Sequence, residues 1–225
     1  MAVLSIDVGI KNMAHCLLKR TGENLAILDW RVVDLTPQIF CPCGKRAVNT
    51  HKDKPYCKKH TPTVDIKKED LAKYCADHGL DATGNVRSLT SRVKKHNKVA
   101  KLKGALQLPD VSLAATLFDA YEACFKGIDI VTVIIENQMA PRLKPMQGML
   151  IMYWTSKGAT VQVVSPRNKL KELKAVDTTY AERKKMSVVR TREILTEKGL
   201  SLAFFEASKK KDDLADAFLQ GILYV

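Results

Sequence analysis

Three places in the sequence set a carboxylate where an apolar element begins or ends. Val3, Leu4 and Ile6, with the small Ser5 between them, have the make-up of a short strand buried on both faces; the strand nevertheless ends in Asp7. Gly9, two residues on, lets the backbone turn tightly into a hairpin. Ile128 to Ile135 is an almost unbroken β-branched run suited to a buried parallel strand, and it ends in Glu136. Near the C-terminus, Leu214, Ala217, Phe218 and Ile222 form an apolar helical face, with Asp213 and Asp216 about one turn apart beside it. Like charges at that spacing repel unless a helix dipole or a cation holds them together. Asp7, Glu136, Asp213 and Asp216 are four hard oxygen donors, and parallel strands bring their ends to one edge of a sheet. Such a set suits one or two Mg²⁺ ions about 4 Å apart, which can activate water and stabilise the leaving oxygen in phosphodiester hydrolysis. Each acid has a plainer reading when taken alone: an Asx-type turn, the first solvated residue after a strand, a helix cap.

A second constellation is softer. Cys41-Pro-Cys43-Gly44 and Tyr56-Cys57-Lys58-Lys59-His60 enclose a polar loop, and Cys41, Cys43, Cys57 and His60 offer the four ligands that a tetrahedral, structural zinc takes, the alternative being a reduced loop with incidental thiols. One residue, rather than the usual two, separates the first pair; His51 is a substitute ligand. Cys16, Cys75 and Cys124 stand singly, so the six cysteines fit a reducing compartment better than a disulfide framework.

Around these groups the elements fall in order. Met13–Leu18 and Leu25–Leu35 continue the first strand as an antiparallel meander. From Cys41 to Lys103 the chain is Lys-rich and poor in long apolar runs, which marks an insertion. Its second half holds two helical patterns, Ile66-Leu71-Tyr74 and Val86-Leu89-Val93, around Gly79-Leu80 and Thr83-Gly84, with Lys67, Lys68, Arg87 and Arg92 outside as candidate DNA-backbone contacts. The pattern resembles the SAP motif, a helix-turn-helix module associated with DNA binding. Beyond it come a helix over Asp110–Phe125 with Asp110 as its cap, the Glu136 strand, a helix over Pro141–Lys157 with Met146, Met149 and Met152 among its core residues, a strand over Ala159–Val164, and a helix from about Thr179 to Lys198. The expected domains are 1–39 with 105–225, a zinc loop at 40–63 and a helical DNA-binding segment at 64–104.

The formal charge of +13, from 37 basic and 24 acidic residues, favours a polyanionic partner, and nucleic acid is the default. Further candidate contacts are Lys11 and Asn12 beside the Asp7 turn, Arg142 and Lys144 early in their helix, Arg167 and Lys169 after Ser165-Pro166, and Lys209, Lys210 and Lys211. The basic residues are spread over several segments rather than one amphipathic helix, and no apolar run reaches the roughly 18 residues needed to cross a bilayer, so no membrane partner is expected. With no presequence before the first strand, a cytoplasmic or viral replication site is expected, with a mitochondrial or nuclear one as alternatives.

Ser-Ile-Asp-Val-Gly-Ile-Lys-Asn at the start, Ile-Glu-Asn-Gln in the middle, Ser-Pro-Arg-Asn-Lys-Leu, and Lys-Lys-Asp-Asp-Leu-Ala-Asp-Ala at the end resemble the RuvC branch of the RNase H-like superfamily. They are most similar to the poxvirus and fungal mitochondrial Holliday junction resolvases. That resemblance implies an α/β fold, a mixed five-stranded sheet flanked by helices, and a homodimer that nicks four-way DNA junctions symmetrically. It also implies Mg²⁺ or Mn²⁺ held by Asp7, Glu136, Asp213 and Asp216. The insertion departs from the minimal pattern, although fungal resolvases have a SAP-like element at their N-terminus. The alternatives are a sister nuclease with another nucleic-acid substrate and a non-catalytic zinc/SAP DNA-binding protein. An actin-like ATPase or sugar kinase would share Asp-x-Gly but needs phosphate and adenosine turns that are missing here.

Overall fold

The computed structural model describes residues 2–63, 65–104, 107–166, 168 and 178–225. The chain divides into two compact units, one of residues 1–36 with 105–225 and one of residues 37–104.

The first unit is built on a five-stranded sheet. Strands β1 (Ala2–Asp7), β2 (Met13–Thr21) and β3 (Asn24–Val33) form the antiparallel meander that the sequence predicts. At Gly9 a side-chain Cβ would lie 2.5 Å from the Asn12 carbonyl oxygen, so the β1–β2 turn closes only around a glycine. On the other side of β1 lie β7 (Thr132–Glu136) and then β8 (Thr160–Val164), both parallel to it, giving the order β3-β2-β1-β7-β8. This is the mixed sheet of the RNase H-like fold. The β7 strand starts later than the apolar run does. Gly127 takes φ 74° to end the preceding helix, and Ile128 and Val131 are exposed in the approach.

Alternation along the strands sorts side chains between two helical layers. Leu4, Ile6, Leu17, Val133 and Ile135 pack under α3 (Asp110–Phe125) and α4 (Lys144–Ser156). Ala14, Cys16, Leu18 and Trp30 face α5 (Tyr180–Glu197), the short α6 (Ala203–Ala207) and α7 (Lys211–Ile222). Trp30 stacks on Phe205 at 5.2 Å, and its Nε1 donates to the Leu214 carbonyl at 3.0 Å, fixing the start of α7 against β3. A buried bond of this kind contributes about 1 kcal/mol and the stacked pair a similar amount. The start of α5 is set by a capping box, in which the Thr179 side chain accepts from the Glu182 backbone amide and the Glu182 carboxylate accepts from the Thr179 N–H.

Three local expectations are corrected. Asp110 makes no capping bond; Pro109 holds that position, and the Asp110 carboxylate accepts from Arg142 instead. Helix α4 begins at Lys144 rather than Pro141, with its proline in the first turn. Met146 is buried there, but Met152 is 74% exposed, because it falls on the face of α4 turned from the sheet.

The second unit has its own small sheet, in which β4 (Asn49–His51) pairs with β5 (Lys54–Tyr56) on one side and with β6 (Ala100–Lys101) on the other. Between β5 and β6 the chain makes a 3₁₀ turn (Lys68–Asp70) and the helices α1 (Leu71–Asp77) and α2 (Val86–His96), packed through Leu71, Cys75, Leu89 and Val93. Asn85 caps α2 by accepting from Ser88 N–H at 2.9 Å. The pairing of β6 with β4 ties the end of the helical hairpin back to the strands of the Cys/His loop. Among the described residues of the whole chain, no helix is long and apolar enough to cross a membrane.

Candidate functional site

In the first unit, β1 and β7 run parallel with Ser5 opposite Ile134 and Ile6 opposite Ile135, so the register carried one residue further sets Asp7 beside Glu136. Asp7 lies on the same strand face as Ser5, and Glu136 on the same face as Ile134, which is the side covered by α7. Asp213 and Asp216 project from the first turns of α7 toward the same edge. All four acids line one cavity of 680 Å³, together with Lys11, Asn12, Tyr180, Arg183 and Lys184. Glu136 is nearly buried, and Asp213 Oδ2 is buried and accepts no hydrogen bond.

Cations from this chain already stand among the acids. Lys184 Nζ donates to Asp212 Oδ2 at 2.9 Å and to Asp213 Oδ1 at 3.0 Å. Burial works against its charge, but the hydrogen bonds to Asp212 and Asp213 and the charges of Asp213 and Asp216 outweigh that and hold the ammonium pKa far above its ordinary value. Lys210 Nζ lies 3.7 Å from Asp213 Oδ2, and the Asn12 amide, oriented with its nitrogen toward the Lys11 carbonyl, accepts from Lys210 at 3.2 Å through its oxygen. In the sequence Lys184 stands out only as one of the basic run Arg183–Lys185 leading into the long helix, a candidate for phosphate rather than a partner of the acids.

The other expected contact residues are dispersed. Arg142 donates to Asp110 Oδ1 and to the Leu108 carbonyl, both at 2.5 Å, and so joins the loop before α4 to the start of α3. Lys144 donates to Asn137 Oδ1 at 3.0 Å, and Lys211 to the Ser208 carbonyl at 2.9 Å. Lys209 lines a neighbouring groove with Lys185 and Lys211. Arg167 and Lys169 lie outside the described residues. In the second unit, Lys67, Lys68 and Arg87 are exposed, while Arg92 braces the α1–α2 turn through the Asp81 carboxylate and the Asp81 carbonyl.

The second unit also assembles the soft cluster. The ligand atoms of Cys41, Cys43, Cys57 and His60 all lie within 4.8 Å of one another, with Cys41 Sγ 3.6 Å from His60 Nδ1 and Cys43 Sγ 3.8 Å from Cys57 Sγ. A zinc ion with bonds of about 2.3 Å to sulfur needs tetrahedral edges of about 3.8 Å, so these separations fit it. The short Cys41–Cys43 spacing is accommodated because Gly44 takes φ 77° and donates its N–H to the Cys41 carbonyl, closing a tight turn. Hydrogen bonds from the Cys43 and Cys57 backbone amides lead the effects that lower the Cys41 thiol pKa to about 6, which favours the thiolate a metal requires. The cluster uses His60; His51 is in β4 and outside the group.

A family model described as "Poxvirus A22 protein" matches residues 108–225, just over half of the sequence. The chain belongs to the poxvirus A22 protein family. The matched stretch carries Glu136, Asp213 and Asp216, whereas Asp7 and the 37–104 unit lie outside it. Uncharacterized protein L451 of Acanthamoeba polyphaga mimivirus is 25% identical to this A22-family chain, the match covering all of this chain and 74% of that one. Among solved structures, the fold is similar to the yeast mitochondrial Holliday junction resolvase Ydc2, with 17% identity, a TM-score of 0.51, and 97% of this chain and 76% of that one covered. It is likewise similar to the fowlpox virus resolvase in complex with substrate Holliday junction DNA, with 14% identity, a TM-score of 0.51, and 100% and 96% covered. Thermus thermophilus RuvC matches with 12% identity and a TM-score of 0.50 over 99% and 92%.

Proposed function

We propose that this chain is a structure-selective endonuclease that resolves four-way DNA junctions by metal-dependent phosphodiester hydrolysis. The observation that carries the reading is the meeting of Asp7, Glu136, Asp213 and Asp216, far apart in sequence, in one cavity at the edge where β1 and β7 end. Membership of the A22 family, and a fold shared with proteins described as Holliday junction resolvases, support the four-way junction as substrate.

The donor set is all carboxylate oxygen, which suits Mg²⁺ or Mn²⁺, and the buried Asp213 Oδ2 that accepts no hydrogen bond is an oxygen a cation would satisfy. Asp7, Glu136, Asp213 and Asp216 would hold the metal. When bound, it supplies an activated water and charge stabilisation for the leaving oxygen. The protein's own part is electrostatic and geometric. The β1–β7 register fixes Asp7 and Glu136 side by side, and α7 presents Asp213 and Asp216 to them. Lys184 neutralises part of the acidic cluster, and Lys11 and Arg183 on the cavity lining offer positive charge to a phosphate. Paired, symmetric nicks require a homodimer. In the second unit, Cys41, Cys43, Cys57 and His60 would hold a structural Zn²⁺, and the exposed bases of α2 would hold DNA backbone.

A cleavage panel of four-way junction, duplex, Y-fork and RNA–DNA hybrid in Mg²⁺ tests the reading. The parent should cut the junction preferentially into paired nicks, and Asp7→Asn should lose at least about 10³-fold in rate while binding the junction nearly as before. Full activity in Asp7→Asn would refute the acidic assignment, and preference for another member of the panel would refute the substrate.

A further inference from the structure

Gln220 is a buried amide, 3% exposed, that belongs to none of the groups named above, yet its side chain reaches both strands that carry the acids. It follows Asp216 by one helical turn and Asp213 by two, so all three lie along one side of α7. Its Nε2, with two hydrogens, lies within bonding distance of three acceptors, Ser5 Oγ at 3.1 Å, the Ile6 carbonyl at 3.2 Å and the Ile134 carbonyl at 3.3 Å, so that one N–H is shared between two of them. Ile6 immediately precedes Asp7, and Ile134 precedes Glu136 by two residues on the same strand face. One amide nitrogen from the acidic helix therefore meets the backbone next to Asp7 on β1 and two residues before Glu136 on β7.

The next residue makes that reach feasible. A Cβ on Gly221 would stand 2.9 Å from Ser5 Cβ and 2.9 Å from Leu18 Cδ1, so the helix backbone comes closer to the sheet than any other residue permits. An apolar side chain at 220 would fill the same space but would carry no directional bond to β1 or β7, so that α7 would be held there by packing alone beyond the Trp30–Leu214 bond at its start. An amide whose two N–H groups face the carbonyls of two adjacent strands has one height at which both are satisfied, and leaving it unsatisfied in a buried position costs about 1–3 kcal/mol. Mg²⁺ and Mn²⁺ sites tolerate displacement of their ligands by only about 0.5 Å.

We propose that Gln220 is a positioning residue: by clasping α7 to β1 and β7 it sets Asp213 and Asp216 at the spacing from Asp7 and Glu136 that a divalent cation requires. The clasp rests on the metal-dependent reading above and extends it to a residue that touches neither metal nor DNA.

Binding of Mn²⁺ by the full chain, followed by electron paramagnetic resonance well below the unfolding temperature, tests it without reference to cleavage. Gln220→Met keeps the volume and unbranched shape but removes the donor, and it should weaken Mn²⁺ affinity by about tenfold or more. Gly221→Ala, which pushes the helix outward, should act in the same direction. Leu117→Val trims α3, which packs on the opposite face of the sheet, and should lower the melting temperature while leaving Mn²⁺ affinity unchanged. Should Gln220→Met fail to fold, Gln220→Asn, one methylene too short to bring the amide to both carbonyls, should still weaken Mn²⁺ binding measurably, and unchanged affinity there overturns the clasp. Equal affinity in parent and Gln220→Met overturns it too, as does an equal loss in Leu117→Val, which would reduce the effect to general stability. A parent chain that binds no Mn²⁺ at all defeats the functional reading itself, a result distinct from parent and variant binding alike.

Discussion

An ammonium held between aspartates is a counter-ion that must yield before a metal can use the same oxygens. Lys184 Nζ, at 2.9 Å from Asp212 and 3.0 Å from Asp213, makes the acidic cluster tolerable without metal, and it occupies an oxygen that a metal would use. Lys184→Met should therefore destabilise the metal-free protein by about 1–3 kcal/mol, because it removes the ammonium hydrogen-bonded to both Asp212 and Asp213 and leaves Lys210, at 3.7 Å from Asp213, as the nearer remaining cation. It should also enlarge the stabilisation gained on adding Mg²⁺. Melting curves in chelator and in saturating Mg²⁺ check both parts, and an unchanged Mg²⁺ increment would show that the ammonium and the metal do not share the site. The four acids were legible in the sequence because each ends or begins an apolar element, a break in pattern that a single chain displays. Lys184 was not. Arg183, Lys184 and Lys185 are successive residues on a helix, each rotated about 100° from the last, and which of them meets the acids depends on the helix phase set by the Thr179–Glu182 cap and by packing on α7.

Elements were legible in proportion to their length. The meander, α3 and β7 follow from apolar stretches long enough to mark an element, whereas β4, β5 and β6 have two or three residues each and no pattern to read. These short strands depend on what encloses them. The buried core of the helical hairpin comprises Leu71, Cys75, Leu89 and Val93, worth at most about 2–3 kcal/mol apiece before chain entropy is set against it. A unit of that size needs a further cross-link, and a zinc ion on Cys41, Cys43, Cys57 and His60 would provide one. Cys57→Ser, or prolonged chelation, should release one equivalent of zinc and open the backbone amides of β4, β5 and β6 to hydrogen exchange. The amides of β1 and β7, which belong to the other unit and its separate core, should keep their protection. Exchange followed by mass spectrometry reads both at once, and uniform loss across the chain, or no zinc in the purified protein, would refute the division of labour.

The charge of the whole molecule is not shared evenly between its units. Residues 37–104 hold 16 of the 37 lysines and arginines but only 6 of the 24 aspartates and glutamates, so they account for ten of the thirteen net positive charges. The larger unit, which holds the acidic cavity, is close to neutral. Attraction for a polyanion and the candidate chemistry are thus assigned to different parts of the chain, and they should respond to different perturbations. Each phosphate neutralised by a lysine or arginine releases condensed counterions and adds about 0.9 to the steepness with which the logarithm of affinity falls against the logarithm of salt concentration. Replacing the exposed Lys67, Lys68, Arg87, Lys94 and Lys95 with glutamine should flatten that dependence by up to about 4 and weaken duplex and four-way junction alike, because phosphate contacts carry no shape or sequence information of their own. Once DNA is saturating, the rate of Mg²⁺-dependent cleavage should stay within about twofold of the parent, since none of these side chains lines the acidic cavity. Asp7→Asn should do the reverse, leaving the salt dependence as it is and abolishing the rate. A five-glutamine variant that keeps its full salt slope would mean that the DNA lies against the nearly neutral unit, and the basic insertion would then have to earn its charge from some other polyanion.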